Sequence, residues 1–162
     1  RRLASHLPNA RLVLAGDGPI RVNLEQLSRD LGLGDRVRFL GFRGDVADLM
    51  ASSDVLLLTS KSEGVPQVVT QALGLGMPVV ATRVGGVPEL IEHERGGLLV
   101  PPEDPGAAAD ALERLARKPE LAQRFGQTGR AHVLANYSLR AMLDHTENLC
   151  RTLLKEKRPS GS

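Results

Sequence analysis

Cysteine is nearly absent from this sequence: Cys150 is the single one in 162 residues. An intrachain disulfide is therefore impossible, and a thiolate metal site is not expected. The four histidines show no ligand spacing, and His132 and His145 fall in the late helical region, so no metal site is predicted. Aromatics are just as scarce, with Phe39, Phe42, Phe125 and Tyr137 the whole supply. Leu, Val and Ala must then fill the core, and a stacking surface for single-stranded nucleic acid is poorly provided. No charge sign dominates. The net charge is +2 and the arginines are scattered, which argues against a nucleic-acid partner. No apolar run approaches the roughly 18 residues that a membrane-spanning helix needs, and no signal-peptide pattern is visible. The expectation is a soluble, cytoplasmic polypeptide.

What the sequence does contain is a 41% apolar fraction, enough for one domain with its own core. "RRLASHLP" resembles the last two turns of a helix stopped by proline, so the chain is expected to begin inside a fold. At the other end "KEKRPSGS" reads as a frayed tail, giving a domain over 1–155 and a flexible segment over 156–162. Between them, apolar runs predict strands at 11–16, 36–41, 54–60, 78–82 and 96–100. The third is apolar without alternation, as a central strand buried on both faces would be. The second alternates Arg with Val and Phe, as a half-exposed strand would. Helical patterns fall at 20–32, 45–52, 66–76 and 87–94, and almost everything after residue 100 is helical, interrupted at Pro105, Pro119 and near Asn136. Strands separated by helices require right-handed crossovers, so the fold class is α/β with a doubly wound parallel sheet.

Such sheets bind ligands beyond the carboxyl ends of their strands. Here those ends are Gly16-Asp17-Gly18, Gly41-Phe42, Ser60 to Pro66, Arg83 to Gly86, and Pro101. Most are glycine-rich or small and polar, which lets backbone approach a ligand. The richest is "SKSEGVPQVVTQALGLG" at 60–76. Pro66 fits the first helical position, where a missing N–H costs nothing. The N–H groups of Gln67 and Val68, with Gly64, would then form an anion site such as a diphosphate needs. Val68, Ala72 and Leu75 are expected to pack on the sheet, leaving Gln67, Gln71 and Gly74 on another face. Glu63 and Gln71 would border one crevice. The plainer reading has Glu63 favouring the helix dipole, worth about 0.3–1 kcal/mol, with Gln71 in solvent.

From "SKSEGVPQVVTQALGLGMPVVATRVGGVPELI", the sequence resembles the C-terminal domain of retaining glycosyltransferases with the GT-B fold, family 4 or group 1. The likeness runs from "PNARLVLAGDGPI" through "RVRFLGFRGDVADLMASSDVLLLTS" to "GGLLVPPEDPGAAADAL". It implies a Rossmann-like domain that binds a nucleotide-sugar donor, with no cofactor, and that lacks its N-terminal GT-B partner domain. Glu63 would orient the donor sugar, and Gly64, Val65, Pro66 and Gln67 would hold sugar hydroxyls and phosphate. Gly16, Ser60, Gly41 and Phe42 complete the implied donor site, the last two near the base. The family places a second acid eight residues after the first, for the ribose; here that place is Gln71. An amide keeps the contact but loses charge assistance, about 1 kcal/mol of donor affinity. A basic pair that neutralises the diphosphate in the family has no counterpart here, and the acceptor, a glycan or a lipid-linked sugar, would be held mostly by the absent domain. Inactivity alone, and peripheral membrane placement of a full-length protein, follow as expectations. The alternatives are a non-catalytic doubly wound module and a GT-B sugar-nucleotide epimerase.

The remaining motifs carry less. "AGDGPI" has two of the three glycines of a dinucleotide fingerprint and reads as a turn, with Asp17 the turn former. Glu89 reads as a first-turn helix acid and Asp54 as a strand opener. The late helices read as amphipathic cover for the sheet.

Overall fold

A computed structural model describes residues 1–156. Helix α1 (Arg2–His6) leads into strand β1 (Leu12–Ala15), followed by α2 (Arg21–Asp30), a 3-10 turn at Gly34–Arg36, β2 (Val37–Gly41) and α3 (Val46–Ala51). Then come β3 (Leu56–Leu58), α4 (Gln67–Gly74), β4 (Val79–Thr82), α5 (Val87–Leu90) and β5 (Leu98–Val100). Three helices close the chain: α6 (Pro105–Arg117), α7 (Pro119–Asn136) and α8 (Leu139–Glu156). All five expected strands form, each shorter than its apolar run, and all pair in parallel. Residue 156 ends α8, and the rest of the expected tail lies outside the described residues.

The strands do not form one sheet. β1 pairs with β2, and β3, β4 and β5 form a separate sheet in that order. The α/β class with parallel strands and covering helices is as expected, and what differs is the place of the third strand. β3 is an edge strand whose three leucines are half-buried, not a central strand covered on both faces. The central strand is β4, fully buried along its length.

Alternation of side chains across β4 divides the core in two. Val79 and Ala81 point into a cluster with Val69, Ala72 and Leu73 of α4, Val87 and Leu90 of α5, and Met50 of α3. Val80 points to the opposite face, with Leu98, Val100, Ala108, Ala111, Leu115 and Phe125. So α3, α4 and α5 cover one face, and α6 the other. α7 reaches both, with Val133 in the first cluster and Phe125 in the second. Its close approach needs glycine: a Cβ on Gly126 would lie 1.9 Å from the Gly76 carbonyl oxygen. α6 and α7 are the amphipathic cover expected of the late helices, and α8 adds little to it. Its apolar residues Leu139, Leu143, Leu149 and Leu153 are all exposed.

Helix α1 docks on α6, through an ion pair of Arg2 with Asp110 and a hydrogen bond between His6 Nδ1 and Glu113 Oε2 at 2.7 Å. Arg36, beside β2, donates to the Ala4 carbonyl at 3.0 Å. α1 thereby ties the two-stranded sheet to the face that α6 covers.

Candidate functional site

The segment from Ser60 to Gln71 turns from the end of β3 into α4, and three contacts fix its shape. The Ser60 hydroxyl donates to Glu63 Oε1 at 2.6 Å, holding the carboxylate at the strand end. Thr82 Oγ1, buried at the end of β4, donates to the Ser60 carbonyl at 2.6 Å. The Gly86 N–H donates to the Gly64 carbonyl at 2.9 Å. The loop after β4 therefore lies directly against the Glu63 loop, and that approach dictates glycine twice. Gly85 has a φ of +49°, and a Cβ there would sit 1.7 Å from the Glu63 carbonyl oxygen. At Gly86 a Cβ would sit 2.3 Å from the Gly64 carbonyl oxygen.

Pro66 is the N-cap rather than the first helical residue, with extended φ −69° and ψ 114°. Its carbonyl accepts from the Val69 N–H at 3.1 Å and from the Thr70 N–H at 3.3 Å. Gln67 and Val68 are then the first two helical residues, whose N–H groups have no partner within the helix. They emerge at the positive end of the helix dipole, beside Gly64, where a Cβ would meet nothing within 4 Å. That combination suits an anion. The buried face of α4 is Val69, Ala72 and Leu73. Leu75, expected to pack on the sheet, is 47% exposed, and Val68 is partly buried.

Gln71 is exposed, one helical turn beyond Gln67, and borders a shallow groove of about 420 Å³ between α3 and α4. Gly44, Val46 and Ala47 line its far side, with Gly74 and Leu75 on the near side. A larger hollow, about 520 Å³, lies where α6 meets α7 among Arg117, Lys118, Glu120 and Arg124. α6 runs away from the end of β5, so that hollow belongs to the opposite edge of the sheet and brings no group to the strand ends.

Gly16 and Gly41 meet at the ends of β1 and β2, where the Gly16 N–H donates to the Gly41 carbonyl at 2.7 Å. Both have positive φ, +125° and +67°. Asp17 accepts from the Gly18 N–H at 2.8 Å and pairs with Arg21 at 3.2 Å, as a turn former does. Hydrogen bonds to Glu25 and Asp17 raise the Arg21 guanidinium further above its ordinary range, so it stays charged. Phe42 is 88% exposed, a large apolar ring standing free at the same edge. The structure thus gathers the expected residues into three groups. Ser60, Glu63, Gly64 and Gln67 share the β3–α4 turn with exposed Val65 and buried Pro66; Gly16, Gly41 and Phe42 share the β1 and β2 ends; Gln71 faces Gly44. No hydrogen bond among the described residues joins the first group to the second.

Thr82 escaped the residue-by-residue reading, and Gly85-Gly86 is expected there only as part of a separate strand end. Thr82 and the Gly85-Gly86 pair build the Glu63 loop from the neighbouring strand end, a contact that only the parallel register of β3 with β4 creates. Lys61 also reaches across, to Glu103 at 2.5 Å after β5, and this hydrogen bond holds the Glu103 carboxyl below its ordinary range.

The profile described as Glycosyl transferases group 1 matches residues 1–132. The N-acetyl-alpha-D-glucosaminyl L-malate synthase of Bacillus anthracis is 35% identical over 148 residues, 91% of this chain and 39% of the synthase. HepE from Anabaena, solved with UDP and glucose, superposes with a TM-score of 0.81 at 30% identity, over 93% of this chain and 42% of HepE. The C-terminal domain of the group 1 protein LpcC from Francisella tularensis superposes with a TM-score of 0.79 at 25% identity, over 85% of this chain and 75% of that domain. The chain spans about two fifths of the length of the curated relatives it matches.

Proposed function

The chain belongs to the group 1 glycosyl transferases, and from that premise we propose that it is the donor-binding domain of a retaining enzyme. The reaction moves a sugar from a nucleoside diphosphate sugar to a glycan or lipid-linked acceptor. The observation that carries this reading is the β3–α4 turn, where a fixed carboxylate stands at the foot of a helix with free N–H groups. The carboxylate accepts hydroxyls of the donor sugar, and the amides of Gly64, Gln67 and Val68 receive the diphosphate.

Those parts have distinct tasks. As the bond from the anomeric carbon to the diphosphate oxygen breaks, negative charge grows on that oxygen. Dipoles already aimed there stabilise it without reorganising. Glu63 cannot swing away, because Ser60 holds one of its oxygens and the glycine pair pins its backbone. The acceptor hydroxyl then bonds through its oxygen to the same face of the anomeric carbon and gives its proton to the departing diphosphate oxygen, and the nucleoside diphosphate leaves. Gln71, facing the groove at Gly44, takes the ribose, and the backbone around Gly41 to Gly44 takes the base. HepE, a relative by sequence and fold, has been solved with UDP, with UDP and glucose, and with UDP-glucose. An isolated chain of this length is inactive on this reading, because the acceptor is held by a second domain.

The test is Glu63→Gln in the full-length protein. The amide preserves shape and the Ser60 contact, but removes the charge that orders sugar hydroxyls, so transfer should fall about a hundredfold. Unchanged transfer would overturn the assignment of Glu63.

A further inference from the structure

We propose that His93 is a pH-sensitive clasp on β5: its neutral imidazole takes the place of a neighbouring strand along the outer edge, and protonation of Nδ1 releases that edge. The clasp stands on backbone geometry and does not depend on what the donor-site turn binds.

In a parallel ladder, successive residues of a strand turn their N–H and C=O groups to opposite sides. Val100 turns toward β4, and its carbonyl accepts from the Arg83 N–H at 2.8 Å. Leu99 and Gly97 therefore turn the other way, and among the described residues β5 pairs with β4 alone. Yet Leu99 is 6% exposed, so its N–H has little access to water and needs a partner inside the fold. His93 supplies it, with Nδ1 accepting from the Leu99 N–H at 3.0 Å. Beside it the Gly97 carbonyl accepts from the Glu94 N–H at 2.9 Å, and His93 and Gly97 form an isolated parallel bridge. Residues 93 and 94 thus act as a two-residue strand that closes the edge. Glu94 bends the chain into this position with a φ of +66°, a left-handed conformation uncommon outside glycine. Its carboxylate is gripped by two guanidinium nitrogens of Arg114, Nη2 at 2.6 Å from Oε2, which anchors the turn to α6.

An imidazole nitrogen that accepts a hydrogen bond carries no proton, so this ring is neutral with its proton on Nε2. A second proton turns both nitrogens into donors. Nδ1–H then faces the Leu99 N–H, the ring must swing out, and a buried amide loses its acceptor. Histidine is the side chain whose charge changes in mild acid, and this one has 41% of its side chain open to solvent, so the proton has a path. The charged groups around it are Glu92, Glu94 and Arg95 on its own turn, Arg114 from α6 and Arg124 from α7. Glu92 and Arg95 pair with each other at 2.6 Å. Glu94 Oε1 lies 3.8 Å from His93 Nε2, and the Arg114 hydrogen bond holds the Glu94 carboxyl below its ordinary range. Glu94 therefore keeps its charge while the imidazole titrates, and the pH dependence belongs to the ring. The clasp is closed while the ring is neutral and is lost as pH falls.

The release has a route to the Glu63 turn. Leu99 adjoins Val100, whose carbonyl takes the Arg83 N–H, and Arg83 opens the loop that carries Gly85 and Gly86. That loop is firmly backed while His93 is neutral and less so in acid.

The experiment follows the chain by NMR from about pH 8 to about pH 5, reading the His93 ring nitrogens together with amide protection factors. Expected is an Nδ1 without a proton at the upper end. As the ring takes its second proton, protection at Leu99 and Glu94 should fall at least about tenfold, while Ala81 in β4 keeps its own. His93→Asn offers an acceptor that does not titrate, and should hold Leu99 protected to the same degree at every pH. His93→Phe offers none, and Leu99 should exchange fast throughout. A proton on Nδ1 at the upper end would overturn the proposal, as would Leu99 protection indifferent to pH. A fall shared equally by Ala81, or a pH dependence that persists in His93→Asn, would overturn it too.

Discussion

Replacing Gly85 with alanine tests how the Glu63 loop is built. Gly85 has a φ of +49°, a region that costs a non-glycine residue about 1–2 kcal/mol. The added Cβ would lie 1.7 Å from the Glu63 carbonyl oxygen, about half the separation of ordinary contact, so backbone must move. Forced overpacking of that kind costs about 1–3 kcal/mol. The Gly86 N–H to Gly64 carbonyl bond is the contact most exposed to that movement, and losing it adds about 1 kcal/mol. Together these give about 3–6 kcal/mol, a large part of a domain's usual stability of about 5–15 kcal/mol. In urea the midpoint should fall by roughly 1.5–3 M for a slope near 2 kcal/mol per M. Gly64→Ala is the control: its φ is not positive and its Cβ would meet nothing, so it should stay within about 0.5 kcal/mol of the parent. A Gly85→Ala midpoint matching that of Gly64→Ala would refute the claim that the β4 loop shapes the site.

Other outcomes follow from the same geometry. Gln71→Glu restores an acceptor-only group at the proposed ribose position and should tighten nucleoside diphosphate binding about fivefold by calorimetry, with weaker binding the contrary result. Ser60→Ala frees the Glu63 carboxylate, and should raise KM for the donor in the full-length enzyme with little change in the melting temperature. Glu113 is held below the usual carboxylate range first by His6 and then by Arg117. A depressed carboxyl pKa contributes stability that is present above the unfolded value and lost as pH falls through the folded one. Amide exchange in α1 should therefore accelerate below about pH 4.5, and Glu113→Gln should show the faster exchange at neutral pH as well.

The strands were legible because an apolar run bounded by Gly, Pro or Asp has few other uses in a chain of this composition. Their neighbours were not legible. Nothing in "DVLLLTS" names the strands that lie beside it, so an interior pattern suggests an interior position, whereas β3 pairs with β4 alone. Pro66 was read one position too deep in α4, because both the N-cap and the first helical position tolerate a missing N–H. The buried face is Val69, Ala72 and Leu73 where Val68, Ala72 and Leu75 are expected, and Leu75 is the C-cap, past the end of the helix. Ser60 and Glu63 were found from local pattern and resemblance. Thr82 and the glycine pair were not assigned to the site, because they reach it only through the pairing of β3 with β4. The exposed apolar face of α8 was missed for a related reason: amphipathic spacing shows that a helix has a face to bury, but not against what.

The most direct test of the donor-site account is a titration of the chain with UDP, followed by backbone amide shifts, with inorganic phosphate run in parallel. The account predicts saturable shifts for both ligands at Gly64, Gln67 and Val68, and shifts at Gln71 and Gly44 with UDP alone. Shifts confined to the α6–α7 turn, or no shift between residues 63 and 71 at millimolar UDP, would contradict it.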